Sequence, residues 1–318
     1  MKITFITTVF NEENSVGNFF DSLFLQSVLP NEIIVTDAFS SDKTEEIFVS
    51  KTKQFQKFNK RTVVKYLKIQ GNRSSGRNFA IQKAVGEIII CSDAGCILNK
   101  NWIKNITKPF KETGVDVVAG FYKPITFNVF EKCLAAYTCF PEDKLNGDFL
   151  PSSRSIGFLK SAWEKVEGYP EHLDKCEDLV FARNLKKAGF RFRVVKNAIV
   201  YWPQRKNIKE AFIQFFSYAQ GDGQALYIRP QVLFLYVRYF IGLTLLILTL
   251  TSNNYMYGLA IVGLFFLYSI WSVLKNYKYI KKKEAVIILP MIQILADIAV
   301  LSGTTLGIFK KITSRSHL

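Results

Sequence analysis

Two acidic sites, one a single residue and one a doublet, stand apart in a 318-residue chain whose formal net charge is +16. Asp93 ends the apolar run Glu87-Ile-Ile-Ile-Cys-Ser92, and the doublet Glu177-Asp178 follows far downstream. A run of β-branched residues that stops on an aspartate reads as a buried parallel strand. Such a strand delivers its carboxylate to the C-terminal edge, where open α/β sheets bind ligands. There one carboxylate can hold a ribose or place a cation, and a second can take a proton from an attacking hydroxyl. By itself the doublet also fits a helix start, where acids meet the positive end of the dipole.

Those carboxylates need elements to carry them, and the first part of the chain supplies these in strand–helix alternation. Strands are expected at Lys2–Thr8, Glu32–Thr36, Thr62–Lys68, Glu87–Ser92 and Val115–Ala119. Helices are expected at 13–26, near Ser41–Val49, and at Ser75–Val85, Trp102–Lys111 and Asp178–Ala188; Ser40-Ser41-Asp42 offers caps for the second. Such alternation with short links predicts a parallel sheet wrapped by helices. The strand ends share one edge, so Thr8-Val9-Phe10-Asn11-Glu12, Asp37, the stretch Arg73 to Asn78, and Asp93-Ala94-Gly95 converge on one crevice. An aspartate after a strand is commonly only a turn residue. Four such clusters in order carry more weight than any one. From Gly120 to Pro203 the pattern loosens into mixed helices and short strands.

Ile6-Thr-Thr-Val-Phe-Asn-Glu-Glu13, Ile33-Ile-Val-Thr-Asp-Ala-Phe-Ser-Ser-Asp-Lys-Thr44, Gly76-Arg-Asn-Phe-Ala80 and Gly86-Glu-Ile-Ile-Ile-Cys-Ser-Asp93 resemble the family 2 glycosyltransferases of the GT-A fold. Phe158-Leu-Lys-Ser-Ala-Trp-Glu-Lys-Val-Glu-Gly-Tyr-Pro-Glu171 and Glu177-Asp-Leu-Val-Phe-Ala-Arg183 continue the pattern. The resemblance covers residues 1–225 and implies a Rossmann-like mixed sheet that binds a nucleotide-sugar donor. It is silent on the sugar.

The resemblance also implies roles. The nucleotide base would sit against Thr8, Asn11 and Glu12, with Asp37 accepting from uracil or ribose. Arg73 and Arg77 would face the diphosphate beside the free N–H groups of a helix start. Asp93 stands where the family's Asp-X-Asp signature begins, which binds ribose and places magnesium or manganese. Position 95 is Gly95, so the second acid is missing. The cation would then be held mostly by phosphate and water, or by an acid elsewhere, or be dispensable; Cys96 is a poor substitute for a hard cation. Asp178 takes the place of the catalytic base of an inverting, single-displacement transfer, with Glu177 supporting it or bonding the acceptor. Tyr201-Trp202-Pro203 and the segment Gln214 to Gly223 resemble the part beneath the active site, which makes Trp202, Gln214 and Tyr218 acceptor-side candidates.

The remainder of the chain is lipid-like. From Val232 charged residues become rare, and apolar stretches reach the roughly 17–25 residues that cross a bilayer. Spans are expected at 232–251, 255–274 and 285–306, with a basic tail over 307–318. A helix over 207–221, bearing Ile208, Phe212, Phe215, Phe216 and Tyr218, is expected in the membrane interface, a core helix being the plainer alternative. Met1-Lys2-Ile3 leads straight into a strand, so no signal peptide is expected. The basic loop Lys275–Lys283, against the uncharged Ser252-Asn253-Asn254, puts that loop and the domain over 1–225 in the cytosol. A third full crossing would strand Lys310, Lys311 and Arg315 outside, against the same rule. Either that segment, with Pro290 and Asp297, crosses incompletely, or the tail is tolerated. Asp297 itself is a functional candidate or a helix-packing contact.

The net charge fits a leaflet rich in anionic lipid, with no nucleic-acid partner. Five cysteines show neither a CxxC pair nor histidines at zinc spacing, which predicts free thiols in a reducing compartment. The expectation is therefore a multi-pass cell-membrane protein whose cytosolic domain moves a sugar from a uridine diphosphate donor to a lipid-linked or polysaccharide acceptor. Two alternatives stay open. One is transfer to a polyprenyl phosphate, an anionic acceptor that needs no base. The other is a non-catalytic nucleotide-binding homologue, which the missing second acid would favour.

Overall fold

The computed structural model describes residues 1–112, 114–252 and 254–315. Asn253 of the uncharged loop and the last three residues of the basic tail lie outside the described residues. The chain divides into two compact units, Met1–Ile125 with Pro141–Pro203, and Thr126–Phe140 with Gln204–Leu318.

The first unit holds one eight-stranded sheet built from β1 (Ile3–Val9), β2 (Glu32–Asp37), β3 (Val63–Lys68), β4 (Ile88–Cys91), β5 (Ile97–Leu98), β6 (Val117–Ile125), β7 (Ile156–Leu159) and β8 (Phe192–Pro203). Their order is β3-β2-β1-β4-β7-β6-β8-β5. The first four run parallel, as strand–helix alternation requires. β7 then pairs antiparallel with both β4 and β6, so the sheet is mixed and not parallel throughout. With only four residues, Ile-Gly-Phe-Leu, β7 is too short to show a period of its own. Every residue of β2 and β4 is buried, which is why Ile33-Ile34-Val35 and Ile88–Cys91 read as apolar runs without alternation.

The helices up to the second acidic cluster are α1 (Val16–Phe24), α2 (Thr44–Phe58), α3 (Arg73–Lys83), α4 (Trp102–Thr107), α5 (Val129–Thr138), α6 (Lys160–Lys165) and α7 (Glu177–Lys187). α2 runs well past the expected Val49. Two buried aromatic anchors two turns apart, Phe48 in its first half and Phe55 in its lysine-rich second half, hold it, and Phe55 stacks on Phe24 with ring centroids 4.3 Å apart. α4 stops at Thr107 and passes into a 3-10 turn over Lys108–Lys111, where Pro109 removes a helical N–H donor. α3 presses against the ends of β1 and β2. A Cβ on Gly76 would lie 2.9 Å from Thr8 Cγ2 and 3.1 Å from Thr36 Oγ1. Only glycine lets the helix start sit that close to the strand ends.

The second unit contains α5 together with α8 (Ile208–Gln224), α9 (Pro230–Thr251), α10 (Tyr255–Asn276) and α11 (Ala285–Arg315). Three of these are long and apolar enough to cross a membrane: Pro230–Thr251, Tyr255–Tyr279 and Ala285–Thr313, of mean hydropathy 2.0, 1.9 and 2.2. α11 continues beyond the expected 306, and Pro290 in its second turn does not end it. Cys133 and Leu134 of α5, Ala211 and Phe215 of α8, and Leu289, Ile292, Ala296 and Ala299 of α11 form its buried core. Asp297 accepts from Arg238 Nη2 (3.1 Å), Tyr239 Oη (3.2 Å) and Tyr268 Oη (2.7 Å), and from Gln293 Nε2 (2.9 Å). It therefore ties α9, α10 and α11 together, the helix-packing alternative.

Candidate active site

Because β1 to β4 are parallel, their C-terminal ends lie on one edge, and a cleft of about 260 Å³ opens there. Thr8 near the end of β1 and Glu12 after it, Thr36 near the end of β2, Arg73 and Gly76 of α3, and the pair Asp174-Lys175 line it. Thr8, Glu12 and Arg73 thus stand where the sequence pattern placed them. The loops are fixed by short polar bridges. Asn11, in the left-handed conformation (φ 51°), accepts from Ser41 N at 2.9 Å, and its own N–H donates to Ser40 Oγ at 2.9 Å. Asn72 caps α3 and donates to Glu171 O at 2.7 Å, tying that helix start to the chain just ahead of Asp174.

Asp37 is not among the lining residues. It is fully buried; one oxygen accepts from Ser40 N and Oγ, and the other from Tyr66 Oη at 2.8 Å. In this arrangement it holds the loop after β2 and does not face the cleft.

Arg77 is also placed elsewhere than expected. Its side chain is only 2% exposed; Nη1 donates to Glu177 Oε1 at 2.8 Å and Nη2 to Asp93 Oδ1 at 3.0 Å. The guanidinium lies 5.3 Å from the centroid of Tyr169. Burial alone would disfavour its charge, but Asp93 and Glu177 more than offset that and keep it cationic. Arg77 joins the two acidic clusters from below, and Glu177 is its buried counter-ion.

Of the two acidic clusters, that leaves Asp93 and Asp178 with solvent access. Asp93 is partly exposed, and although burial works against its ionisation, Arg77, Arg154 and Arg73 hold it below the ordinary carboxylate range. Asp178 behaves oppositely. Burial and the neighbouring Glu177 raise its proton affinity, only partly countered by Arg154 and Arg77. Two carboxyls whose environments push them apart in this way are suited to different tasks. Cys176 precedes the doublet with φ 66°, a conformation that non-glycine residues rarely adopt; it turns the chain so that Glu177 and Asp178 open α7.

Arg154 is the residue the sequence pattern missed. It stands 4.1 Å over the ring of Trp202 and 5.5 Å from that of Tyr122, and its charge acts on both Asp93 and Asp178. Its only signal is an arginine between serines, Ser152-Ser153-Arg154-Ser155, ahead of the short β7. Trp202 is buried against it, edge-on to Tyr122. Gln214 and Tyr218 belong to the second unit, one turn apart on α8, with Gln214 Nε2 donating to Tyr218 Oη at 3.4 Å.

Residues 4–144 match the model of glycosyl transferase family 2. Residues 4–144 are thus a family 2 glycosyltransferase domain. The O-antigen chain rhamnosyltransferase RfbN of Salmonella typhimurium is 24% identical over 229 residues, which is 68% of this chain and 71% of that protein. The poly(ribitol-phosphate) beta-N-acetylglucosaminyltransferase TarS of Staphylococcus aureus is 22% identical over 213 residues, and there the match spans only 36% of the relative. Among solved structures, the mannosyltransferase PcManGT from Pyrobaculum calidifontis, in complex with GDP-Man and Mn2+, superposes with a TM-score of 0.61 at 16% identity. It covers 94% of this chain and 87% of that one. The fold of this glycosyltransferase is thus GT-A, with an apolar helical region following it.

As for a metal, the described residues contain no group of three His, Cys, Asp or Glu side chains placed to hold one. Asp93 is the single carboxylate offered at the signature position. Beside it, a Cβ on Gly95 would meet no atom within 4 Å.

Proposed function

We propose that this glycosyltransferase is an inverting enzyme that moves a sugar from a uridine diphosphate donor to a hydroxyl of a lipid-linked or polysaccharide acceptor at the membrane. The observation that carries the reading is the Arg77 bridge, 2.8 Å to Glu177 and 3.0 Å to Asp93, which brings the doublet Glu177-Asp178 to the Asp93 strand end; the raised proton affinity of Asp178 suits a base. In the displacement, the acceptor oxygen bonds to the anomeric carbon and its proton passes to Asp178. The bond from that carbon to the diphosphate breaks, and its electron pair leaves with the nucleoside diphosphate. Thr8, Glu12 and Arg73 would hold the nucleotide in the cleft.

Negative charge on the departing diphosphate falls to Arg73 and Arg154, both already close enough to bias Asp93. Replacing Arg154 by Ala is expected to lower kcat roughly 100-fold, the scale of removing one donor to a developing anion. Lysine should rescue it poorly, because the stack on Trp202 and Tyr122 needs a planar cation. Comparing kcat and KM for both variants checks this.

A magnesium or manganese ion, when bound, supplies further charge compensation to the phosphates. The residues fit an ion held by Asp93 together with donor phosphate and water, and not one held by the protein alone. The open space at Gly95 makes this testable: Gly95→Asp is expected to fold with an unchanged Tm and to bind Mn2+ with donor at lower concentration. An unchanged manganese titration would mean that position 95 does not approach the ion.

The lysine-rich loop over 275–283 supports a cytosolic domain on a multi-pass membrane protein. A thermal-shift screen across nucleotide sugars, with and without manganese, tests the donor. Stabilisation by uridine diphosphate sugars is expected, and a shift with guanosine diphosphate sugars alone would overturn that choice.

A further inference from the structure

α9 ends at Thr251, α10 begins at Tyr255, and the two pack against each other as a hairpin. If each crosses the bilayer once, the start of α9 and the end of α10 lie on one side. α11 begins on that side, since only 277–284 separate it from α10. The question is where α11 goes.

Its partner answers this. α8 and α11 run in the same direction with their backbones in contact. A Cβ on Gly303 would lie 2.5 Å from Phe216 O, one on Gly307 closer still to Gln220 O, and one on Gly223 2.6 Å from Thr304 O. The 303–308 stretch of α11 is therefore fixed to the C-terminal end of α8. That end is fixed in turn to the start of α9: Tyr227 N donates to Asp222 O at 2.8 Å, and Arg229 Nε donates to Asp222 Oδ2 at 2.8 Å, immediately before Pro230. Both ends of the apolar part of α11 thus adjoin the same side of the hairpin.

Depth gives the same result independently. Leu301 lies about 24 Å along α11 from Ala285 at ~1.5 Å per residue. A helix descending beside α9 would there meet residues near the far end of α9. Instead Tyr236 Oη, in the second turn of α9, donates to Leu301 O at 3.0 Å and pairs with Thr305 Oγ1 at 2.7 Å. Asp297, earlier in α11, meets the deeper Arg238 and Tyr239. From Asp297 to Thr305, α11 thus meets α9 progressively nearer to the start of α9.

We infer that α11 lies with α8 along the leaflet from which α9 and α10 project, so that the chain crosses the membrane twice and its tail returns to the side of the lysine loop. Carrying α11 across would draw α8 with it, and with α8 the groups Gln214, Gln220 and Asp222 into hydrocarbon. The exposed Ile287, Met291, Ile298 and Phe309 recur at helical spacing along α11 and face acyl chains in the in-plane arrangement. Lys281, Lys282 and Lys283 before the helix, and Lys310 and Lys311 near its end, then meet acidic headgroups on one leaflet. All basic segments obey the positive-inside rule, which three crossings break.

The inference rests on the membrane reading above but not on transfer activity, because it concerns only which segments share a side. The test uses the full chain with a C-terminal epitope in sealed vesicles of both orientations. Trypsin is expected to remove the epitope and to cut the 275–283 loop from the same face. A Ser252→Cys variant, at the exposed end of α9, should react with an impermeant maleimide from the opposite face only, above the background of the native thiols. Loss of the epitope from the face that labels Cys at 252, with the lysine loop protected, would overturn the proposal. The trypsin comparison needs no substitution and stands if the cysteine variant fails to insert.

Discussion

Asp178→Asn is expected to lower kcat by about 10²- to 10⁴-fold, the usual contribution of a positioned general base. Donor-induced thermal stabilisation should be nearly unchanged. The substitution keeps the size of the side chain and an oxygen to accept from Leu179 N, which Asp178 Oδ1 now does at 2.8 Å. Only the site for the proton is lost. The same group sets the pH dependence. A base works deprotonated, and burial and Glu177 raise the Asp178 proton affinity, so kcat/KM of the wild type should fall as pH drops through a value above the ordinary 3.8. Glu177→Gln removes the charge that raises it, so the acidic limb should move to lower pH. A purely structural Glu177 would change stability and leave the limb in place. Near-normal transfer by Asp178→Asn would instead favour an acceptor that is already an anion, such as a polyprenyl phosphate.

The second large effect is on stability. Arg77→Met replaces a buried cation by an apolar side chain and leaves Glu177 and Asp93 without their partner. Breaking a buried ion pair from one side costs about 3–5 kcal/mol. For a unit of this size each kcal/mol moves Tm by about 2–4 °C, so a loss of roughly 6–20 °C is expected. Calorimetry or a thermal-shift series without ligand reads this directly. Arg77→Lys should recover part of the loss, since one ammonium cannot serve both carboxylates in the geometry of the fork. A drop in activity with unchanged Tm would place Arg77 on the substrate after all.

What the sequence revealed follows from how local each signal is. Thr8, Glu12, Arg73 and Asp93 could be placed because each ends or follows an apolar strand, and parallel strands bring those ends to one edge. Asp37 follows the same rule, but its final partner, Tyr66, lies on the next strand, and such a bond leaves no local trace. Arg77 and Glu177 are 100 positions apart, so their ion pair exists only in the folded chain. Arg154 escaped because it precedes β7, a strand of four residues that runs antiparallel to both of its neighbours. The GT-A sheet was legible through its first four strands, and less so beyond them. In the second unit the three apolar helices were plain from composition, whereas Gly223, Gly303 and Gly307 carry meaning only once α8 and α11 are seen to touch. Small residues spaced by four positions on a long apolar helix were the available hint.

The central claim is a single displacement with Asp178 taking the proton, and the stereochemistry of the product tests it most directly. The full chain in membranes would be supplied with an α-linked nucleotide sugar and acceptor, and the anomeric configuration of the new linkage read by NMR. A β-linked product is expected; an α-linked one would contradict the account.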